Sequence, residues 1–94
     1  MKELKQRLEK YFKVTGEAIR KVRIAPPENT PLYNSAVEFL DMAKRYYDDA
    51  RHFEKKDELL TAFACLNYAH GWLDAGARLG LFDVGKDSKL FTVD

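Results

Sequence analysis

The sequence contains only one cysteine, three prolines and five glycines among its 94 residues. The one cysteine, Cys65, cannot form an intrachain disulfide, which is typical of a protein in a reducing compartment. No apolar run approaches the roughly eighteen residues of a membrane-spanning helix, and the opening MKELKQRLEK lacks the apolar centre of a signal peptide. A glycine-rich phosphate loop, a serine elbow and a paired CxxC motif are also missing. We therefore expect a cytoplasmic protein with no membrane partner.

The composition describes a small folded domain with an uneven distribution of charge. Hydrophobic residues make up 46% and charged residues 33% of the chain, which is typical of a globular protein rather than a disordered one. The length predicts one domain over residues 1–94. Residues 1–25 contain eight lysines and arginines and three glutamates, a net charge of +5, whereas residues 26–94 contain eight basic and twelve acidic residues, a net charge of −4. The basic charge is thus concentrated at the N-terminal end.

Three segments show the three- and four-residue spacing of apolar side chains that is typical of amphipathic helices. We predict helices over residues of about 2–23, 31–55 and 57–79, followed by a tail over 81–94. A tight turn makes the second and third helices antiparallel neighbours, and the longer first connection lets helix one return against both. The expected fold is all-α, an up-and-down three-helix bundle with a short non-helical C-terminal tail. Leu90, Phe91 and Val93 of that tail are expected to dock on the bundle or to form a short extended segment.

The ends of these helices carry recognisable signals. Thr30 is a predicted N-cap, and Pro31 follows at the first helical position, where its missing N–H costs nothing. Asp57 is predicted to cap the start of the third helix. Gly80 stands where a left-handed residue commonly ends a helix, and apolar residues follow it.

The segment YYDDARHFEKKDELLTAFACLNYAHGWLDAGARLGLF, residues 46–82, resembles a known family. It is similar to an uncharacterised archaeal family described as domain of unknown function 357, whose core has a tyrosine-aspartate-alanine stretch, a lysine/aspartate turn and a helix ending in an alanine- and glycine-rich run before an apolar pair. The matching residues are Tyr47, Asp49 and Ala50; Lys56 and Asp57; Tyr68, Ala69, Trp72, Asp74, Ala75 and Gly76; and Arg78, Leu79, Gly80, Leu81 and Phe82. The resemblance covers the C-terminal half, and it implies a small helical bundle and an archaeal source but no activity.

The third helix has apolar or small residues around most of its circumference. A helix of a three-helix bundle normally buries one stripe, so we expect a second cover over the side that carries Tyr68 and Trp72, either the C-terminal tail or a second subunit. A glycine inside a helix costs about 1 kcal/mol relative to alanine, so close approach of another backbone is expected at Gly71 and Gly76, with a ligand-contacting helix end as the alternative. The predicted interface consists of Tyr68, Trp72, Ala75, Gly76 and Leu79.

The remaining arc of the third helix is polar and holds Asn67, His70, Asp74 and Arg78. His70 and Asp74 are four residues apart and share a face, as do Asp74 and Arg78. Such a cluster serves either as an acid/base pair or half of a metal site, or as a hydrogen-bonded structural ladder. The ladder is the favoured interpretation, and we expect no catalytic residue, no cofactor and no metal. An enzyme would need a pocket that holds His70 and Asp74 together with other polar groups.

Two functions remain open at this point. The favoured one is a small protein-interaction module that self-associates, or binds another protein, through the Tyr68 side of the third helix. The alternative is a nucleic-acid-binding accessory protein whose basic first helix contacts phosphates. The residues for that role are Lys5, Arg7, Lys10, Lys13, Arg20, Lys21 and Arg23, although the same residues would also pair with acidic side chains of the second helix.

Overall fold

The computed structural model describes residues 2–87 and 89–91, which form an all-α bundle with a short tail. The elements in chain order are α1 (Lys2–Lys21), β1 (Arg23–Ile24), α2 (Pro31–Lys55), α3 (Leu59–Arg78) and β2 (Phe82–Asp83). The predicted fold class is therefore confirmed, and the second helix has the predicted bounds. Within the described residues, no helix is both long and apolar enough to cross a membrane.

The first helix ends two residues earlier than predicted because the chain leaves it to form a strand. Ile24 pairs with Phe82 in the antiparallel β1–β2 ribbon, and the N–H of Ala25 donates to the Leu81 carbonyl at 2.9 Å. Pro26 follows directly, and a residue before proline is disfavoured in the helical region. The helix must therefore end before this point, and the tail supplies the backbone partners that the extended segment needs.

The start of α2 matches the capping prediction. Thr30 has an extended backbone, with φ of −118° and ψ of 153°, and its hydroxyl accepts the Tyr33 N–H at 3.3 Å. Pro31 is the first helical residue. A side-chain oxygen here satisfies one of the N–H groups that a helix start leaves unpaired.

Asp57 does not cap α3, and the prediction for this residue was wrong. Its φ of +59° is left-handed, and its N–H donates to the Glu54 carbonyl at 3.0 Å, while the Glu58 N–H donates to the Phe53 carbonyl at 2.9 Å. These two bonds form the Schellman motif that ends a helix. Asp57 thus belongs to the C-terminal end of α2, and α3 begins at Leu59 rather than at residue 57. Glu58 is the N-cap residue of α3, but its side chain makes no capping hydrogen bond.

Gly80 ends α3 as predicted. Its φ is +77°, its N–H donates to the Ala77 carbonyl at 3.3 Å, and the Leu81 N–H donates to the Gly76 carbonyl at 2.9 Å. This is a second Schellman motif. It reverses the chain and directs the tail back along the bundle.

The α2–α3 hairpin is the most extensively packed pair of elements. Its seam is lined by small residues at seven-residue spacing, all fully buried: Ala36, Ala43 and Ala50 on α2, and Ala62 and Ala69 on α3. Small side chains at the contact let two helices approach closely. The rigid hairpin that results holds the aromatic side chains beside the seam in fixed positions.

Helix α1 packs on one side of this hairpin. Its buried residues include Leu8, Phe12 and Thr15, and the Phe12 ring meets Tyr47 of α2 edge to face, with the ring centroids 5.6 Å apart. The Arg51 guanidinium lies 3.8 Å from the centroid of the Phe12 ring, within the range of a cation–π contact. Burial opposes the charge of Arg51, but hydrogen bonds to Glu54 and Tyr47 outweigh burial and raise its pKa. Helix α1 therefore covers this side of the hairpin.

The tail completes the core at the end of the bundle away from the α2–α3 turn. Leu81, Phe82, Val84 and Phe91 are all at least 92% buried and join one apolar cluster with Leu73 of α3. Docking of the tail is thus confirmed for Phe91, and Leu90 is half-buried against the same cluster. Val93 lies outside the described residues. Because the buried tail residues come from beyond α3, the bundle core depends on a segment with no helical pattern.

Candidate interaction surface

The side of the hairpin turned away from α1 carries a row of aromatic rings. Phe39 of α2 meets Trp72 of α3 edge to face at 5.0 Å between ring centroids, and Tyr46 meets Tyr68 at 4.4 Å. We call this side of the α2–α3 hairpin the open face. These ring pairs join residues at about equal distances from the turn, so the predicted antiparallel packing of the second and third helices is confirmed.

The exposed positions of α3 are almost uncharged. Eight residues of this 20-residue helix are exposed, and Arg78 is the only charged one: Leu60, Thr61, Ala64, Asn67, Tyr68, Gly71, Ala75 and Arg78. By contrast, nine of the eleven exposed positions of α1 are charged. The solvent-facing side of a helix normally carries charge, so the exposed side of α3 is unusually poor in charge.

The structure separates the predicted interface residues into three groups. Tyr68 is 53% and Leu79 is 67% exposed, and Ala75 is exposed as well, so all three lie on the surface as an interface requires. Trp72 is only half-buried, and its indole Nε1 is buried without a hydrogen-bond partner among the described residues. Most of the tryptophan ring thus serves packing against Phe39 within the chain.

Gly76, which the predicted interface includes, does not lie on the surface. It is buried, and a Cβ at this position would lie 2.2 Å from Cε2 of Phe82. Its small size therefore admits the aromatic ring of the tail. At Gly71 the expected close backbone approach is not found within the described chain: a Cβ there would meet nothing within 4 Å, and the residue lies on the open face.

The described part of the tail lies on a different side of α3 from Tyr68. Phe82 contacts Gly76, and Leu90 and Phe91 contact His70, which faces α1. On an ideal helix, with about 100° between successive residues, Tyr68 and His70 point about 160° apart. The tail through Phe91 therefore leaves Tyr68 uncovered, whereas Trp72 packs against the apolar cluster that includes tail residues. A second molecule over Tyr68 stays a prediction.

The polar strip of α3 joins three elements. His70 Nδ1 lies 3.1 Å from the hydroxyl of buried Thr15, its Nε2 lies 2.6 Å from the Leu90 carbonyl, and Asp74 is 3.8 Å from Nε2. A carbonyl only accepts, so Nε2 donates to the Leu90 carbonyl, while a hydroxyl can donate or accept and completes the bridge at Nδ1. His70 thus forms a hydrogen-bonded bridge between α1, α3 and the tail. Of the other strip residues, Asn67 and Arg78 are exposed and Asp74 is half-buried.

Outside the polar strip, the side chains that could carry chemistry are the thiol of Cys65 and groups of metal-binding residues. Cys65 is half-buried, and burial, followed by the nearby charge of Asp49, raises the pKa of its thiol. A raised pKa leaves little of the reactive thiolate near neutral pH. Within residues 2–87 and 89–91 there is no group of three or more histidine, cysteine or acidic side chains that could hold a metal ion.

The basic residues of α1 remain largely on the surface. Lys5 lies 4.0 Å from Asp57, and Lys21 forms an ion pair with Asp87 of the tail. In the described part of the chain no ion pair joins α1 to α2, so the expected pairing with acidic residues of the second helix is not found. Lys86 and Lys89 of the tail line one cavity together with Lys21 and Arg23. Asp83 and Asp87 line the same cavity, so four basic and two acidic side chains surround it.

Sequence reasoning missed four residues of the open face. Leu60, Ala64 and Gly71 are exposed on α3, and the ring of Tyr46 on α2 supports Tyr68. The available signal was the scarcity of charge at the exposed positions between Leu60 and Leu79, of which only Arg78 is charged, and spacing alone reveals it. The contact of Tyr46 with Tyr68 could not be predicted without knowing which residues of α2 and α3 lie side by side.

Comparison with known proteins yields a family match but no activity. A family model described as "Protein of unknown function (DUF357)" matches residues 10–82. This range includes most of α1, which the resemblance noted above did not cover. Searches of curated proteins and of solved structures return no match.

Proposed function

Because that match spans more than three quarters of the chain, the protein belongs to the DUF357 family, and we propose that it is a small helical module that self-associates through its open face. It works in the cytoplasm, where its single thiol stays reduced. The observation that carries the proposal is the nearly uncharged exposed side of α3. No catalytic step is part of this function.

The composition of the open face is that of an interface core. Contact cores between proteins are depleted of charge and enriched in aromatic residues, and tyrosine and tryptophan dominate binding energy. Tyr68 fits the role of an anchor, because its ring is held by Tyr46 and Trp72 while 53% of the residue stays exposed. An anchor already ordered in the free chain loses little conformational entropy on binding.

The remaining exposed apolar side chains extend the same surface. Leu60 is 71% and Leu79 is 67% exposed, and they stand near opposite ends of α3. Burying apolar area contributes about 25 cal/mol of favourable free energy per Å². Burial of Leu60, Tyr68 and Leu79 in a contact would therefore favour association along the whole length of α3. Large uncovered apolar surfaces on soluble proteins mark interaction sites.

The test is a measurement of mass in solution. Sedimentation equilibrium of the wild-type chain is expected to give a mass above one subunit, and Ala75→Glu is expected to weaken the association at least about tenfold because it buries an unpaired charge. Ala75 is exposed, so this variant keeps the fold, whereas Trp72→Glu would disturb the packing against Phe39. Gln6→Glu on α1 is the matched control, because it adds the same charge at an exposed helical position.

Two results would count against self-association. One is a wild-type chain that stays a monomer at the highest soluble concentration. The other is an equal loss of association in Ala75→Glu and Gln6→Glu, since that would trace the effect to net charge rather than to the open face.

A nucleic-acid role is the second candidate, and the support for it is a cavity lined by four basic and two acidic side chains. Arg23, Lys86 and Lys89 are exposed and lie around one cavity at the basic end of α1, an arrangement that suits phosphate contacts. We expect Arg23→Gln with Lys89→Gln to weaken RNA retention and reduce its salt dependence more than Glu9→Gln does. RNA that is not retained at low salt, or retention unchanged by the double substitution, would contradict this candidate.

A further inference from the structure

The exposed stripe of α3 reads nearly the same in both directions. Nine positions from Leu60 to Leu79 are exposed: the six stripe residues Leu60, Ala64, Tyr68, Gly71, Ala75 and Leu79, and beside them Thr61, Asn67 and Arg78. The six stripe residues have spacings of four, four, three, four and four residues. Large residues stand at the ends, alanines come next, and a tyrosine and a glycine lie in the centre. The positions also repeat after eleven residues, or about 3.67 residues per turn, so the stripe stays on one side of a straight helix.

Self-complementarity of this kind is what a two-fold interface requires. In a dimer with two-fold symmetry, if residue i of one copy contacts residue j of the other, then j also contacts i. When two copies of α3 pack antiparallel about the middle of the stripe, each residue faces the residue at the mirror-image position of the stripe in the other copy. Leu60 then faces Leu79 of the second copy, Ala64 faces Ala75, and Tyr68 faces Gly71.

These pairings also match in size. The alanine pairs allow the two helix backbones to approach closely, and the one bulky residue near the centre meets a glycine whose surroundings are open to 4 Å. The helical cost of Gly71, which no contact within the described chain explains, then has a reason. Leucine pairs close the two ends of the contact.

We infer that the partner of the open face is a second copy of this chain, with the two α3 helices antiparallel and Tyr68 of each copy seated over Gly71 of the other. This inference rests on the proposed self-association and adds its direction and register. Each α1 lies against the His70 side of its own α3, so both basic helices stay outside the contact. A parallel dimer would place Tyr68 against Tyr68 and leave both glycines unused.

A charge swap tests the register directly. Ala64 and Ala75 are eleven residues apart, about 16 Å along the helix, so charges placed there do not pair within one chain. Ala64→Lys and Ala75→Glu are each expected to weaken the dimer at least about tenfold in sedimentation equilibrium. The double variant is expected to recover to within about threefold of the wild-type dissociation constant, because each lysine then faces a glutamate of the second copy.

Circular dichroism melting of each variant verifies that the monomer fold is retained. A double variant as weak as either single variant overturns the antiparallel register, even if the wild-type chain dimerises, because a parallel pair leaves lysine against lysine. A wild-type chain that stays monomeric overturns the proposed self-association itself. A mixture of the two single variants gives an independent readout, since it should form heterodimers more tightly than either variant forms homodimers.

Discussion

Replacing Gly76 by alanine should destabilise the protein, whereas the same substitution at Gly71 should stabilise it. The added Cβ at Gly76 would lie 2.2, 2.5 and 3.0 Å from three carbons of the Phe82 ring. An ordinary contact begins at about 3.4 Å, so the ring must move by about 1.2 Å. Phe82 is 97% buried and sits in a two-residue strand paired with Ile24, which leaves the ring little room to move.

The size of the effect follows from two opposing contributions. Alanine gains about 1 kcal/mol over glycine inside a helix. Overpacking a core costs about 1–3 kcal/mol, and complete loss of a buried phenylalanine ring costs about 3–5 kcal/mol. If the ring is expelled, Gly76→Ala lowers the free energy of unfolding by about 2–4 kcal/mol after the helical gain. Gly71→Ala meets nothing within 4 Å, so it keeps the whole gain of about 1 kcal/mol.

Urea denaturation followed by circular dichroism measures both variants, at a protein concentration low enough to keep every chain monomeric. A third variant isolates the cause: in a Phe82→Ala background, Gly76→Ala should no longer destabilise, because the clashing ring is gone. If Gly76→Ala is as stable as the wild type, the close approach of Phe82 is not what fixes this glycine. If its cost persists without the ring, the clash is not its source.

Three further predictions concern the helix ends and the tail. Asp57→Gly should raise the free energy of unfolding by about 0.5–1 kcal/mol in urea denaturation, because glycine adopts a positive φ without strain; a loss of stability would contradict the strain argument. Hydrogen bonds from Lys21 and from backbone N–H groups of the tail lower the pKa of Asp87. The ionised carboxylate therefore stabilises the fold fully above the unfolded pKa of about 3.9, and this stabilisation is lost as the pH falls through the folded pKa. Asp87→Asn should therefore be less stable than the wild type at neutral pH, with the difference closing below about pH 4, and a difference that does not change with pH would contradict it. His70→Leu should cost about 1–3 kcal/mol, because it leaves the buried Thr15 hydroxyl and a tail carbonyl unpaired, and should speed amide exchange at Phe91; unchanged exchange there would mean that the histidine does not hold the tail.

Features that depend on neighbours in the chain could be predicted closely. The bounds of α2, its Thr30 cap and the left-handed Gly80 all follow from a few adjacent residues, because capping and apolar spacing act over one or two turns. The uncharged side of α3 is equally local, since residues three and four apart share a face. The prediction for Asp57 was wrong although it also rested on neighbouring residues. Asp57 lies between the end of α2 and the start of α3, and its backbone N–H donates to a carbonyl of α2.

The sequence by itself determined three amphipathic helices, their antiparallel order and a third helix too apolar for one buried stripe. Only the tertiary structure decided what covers each side of that helix. His70 meets Thr15, which lies 55 residues away, and Gly76 admits a ring that belongs to the ribbon between Ile24 and Phe82. No periodicity encodes such contacts, because they depend on where a non-helical tail folds back. The described part of the tail packs on the His70 side, and for that reason Leu60, Tyr68 and Leu79 stay exposed.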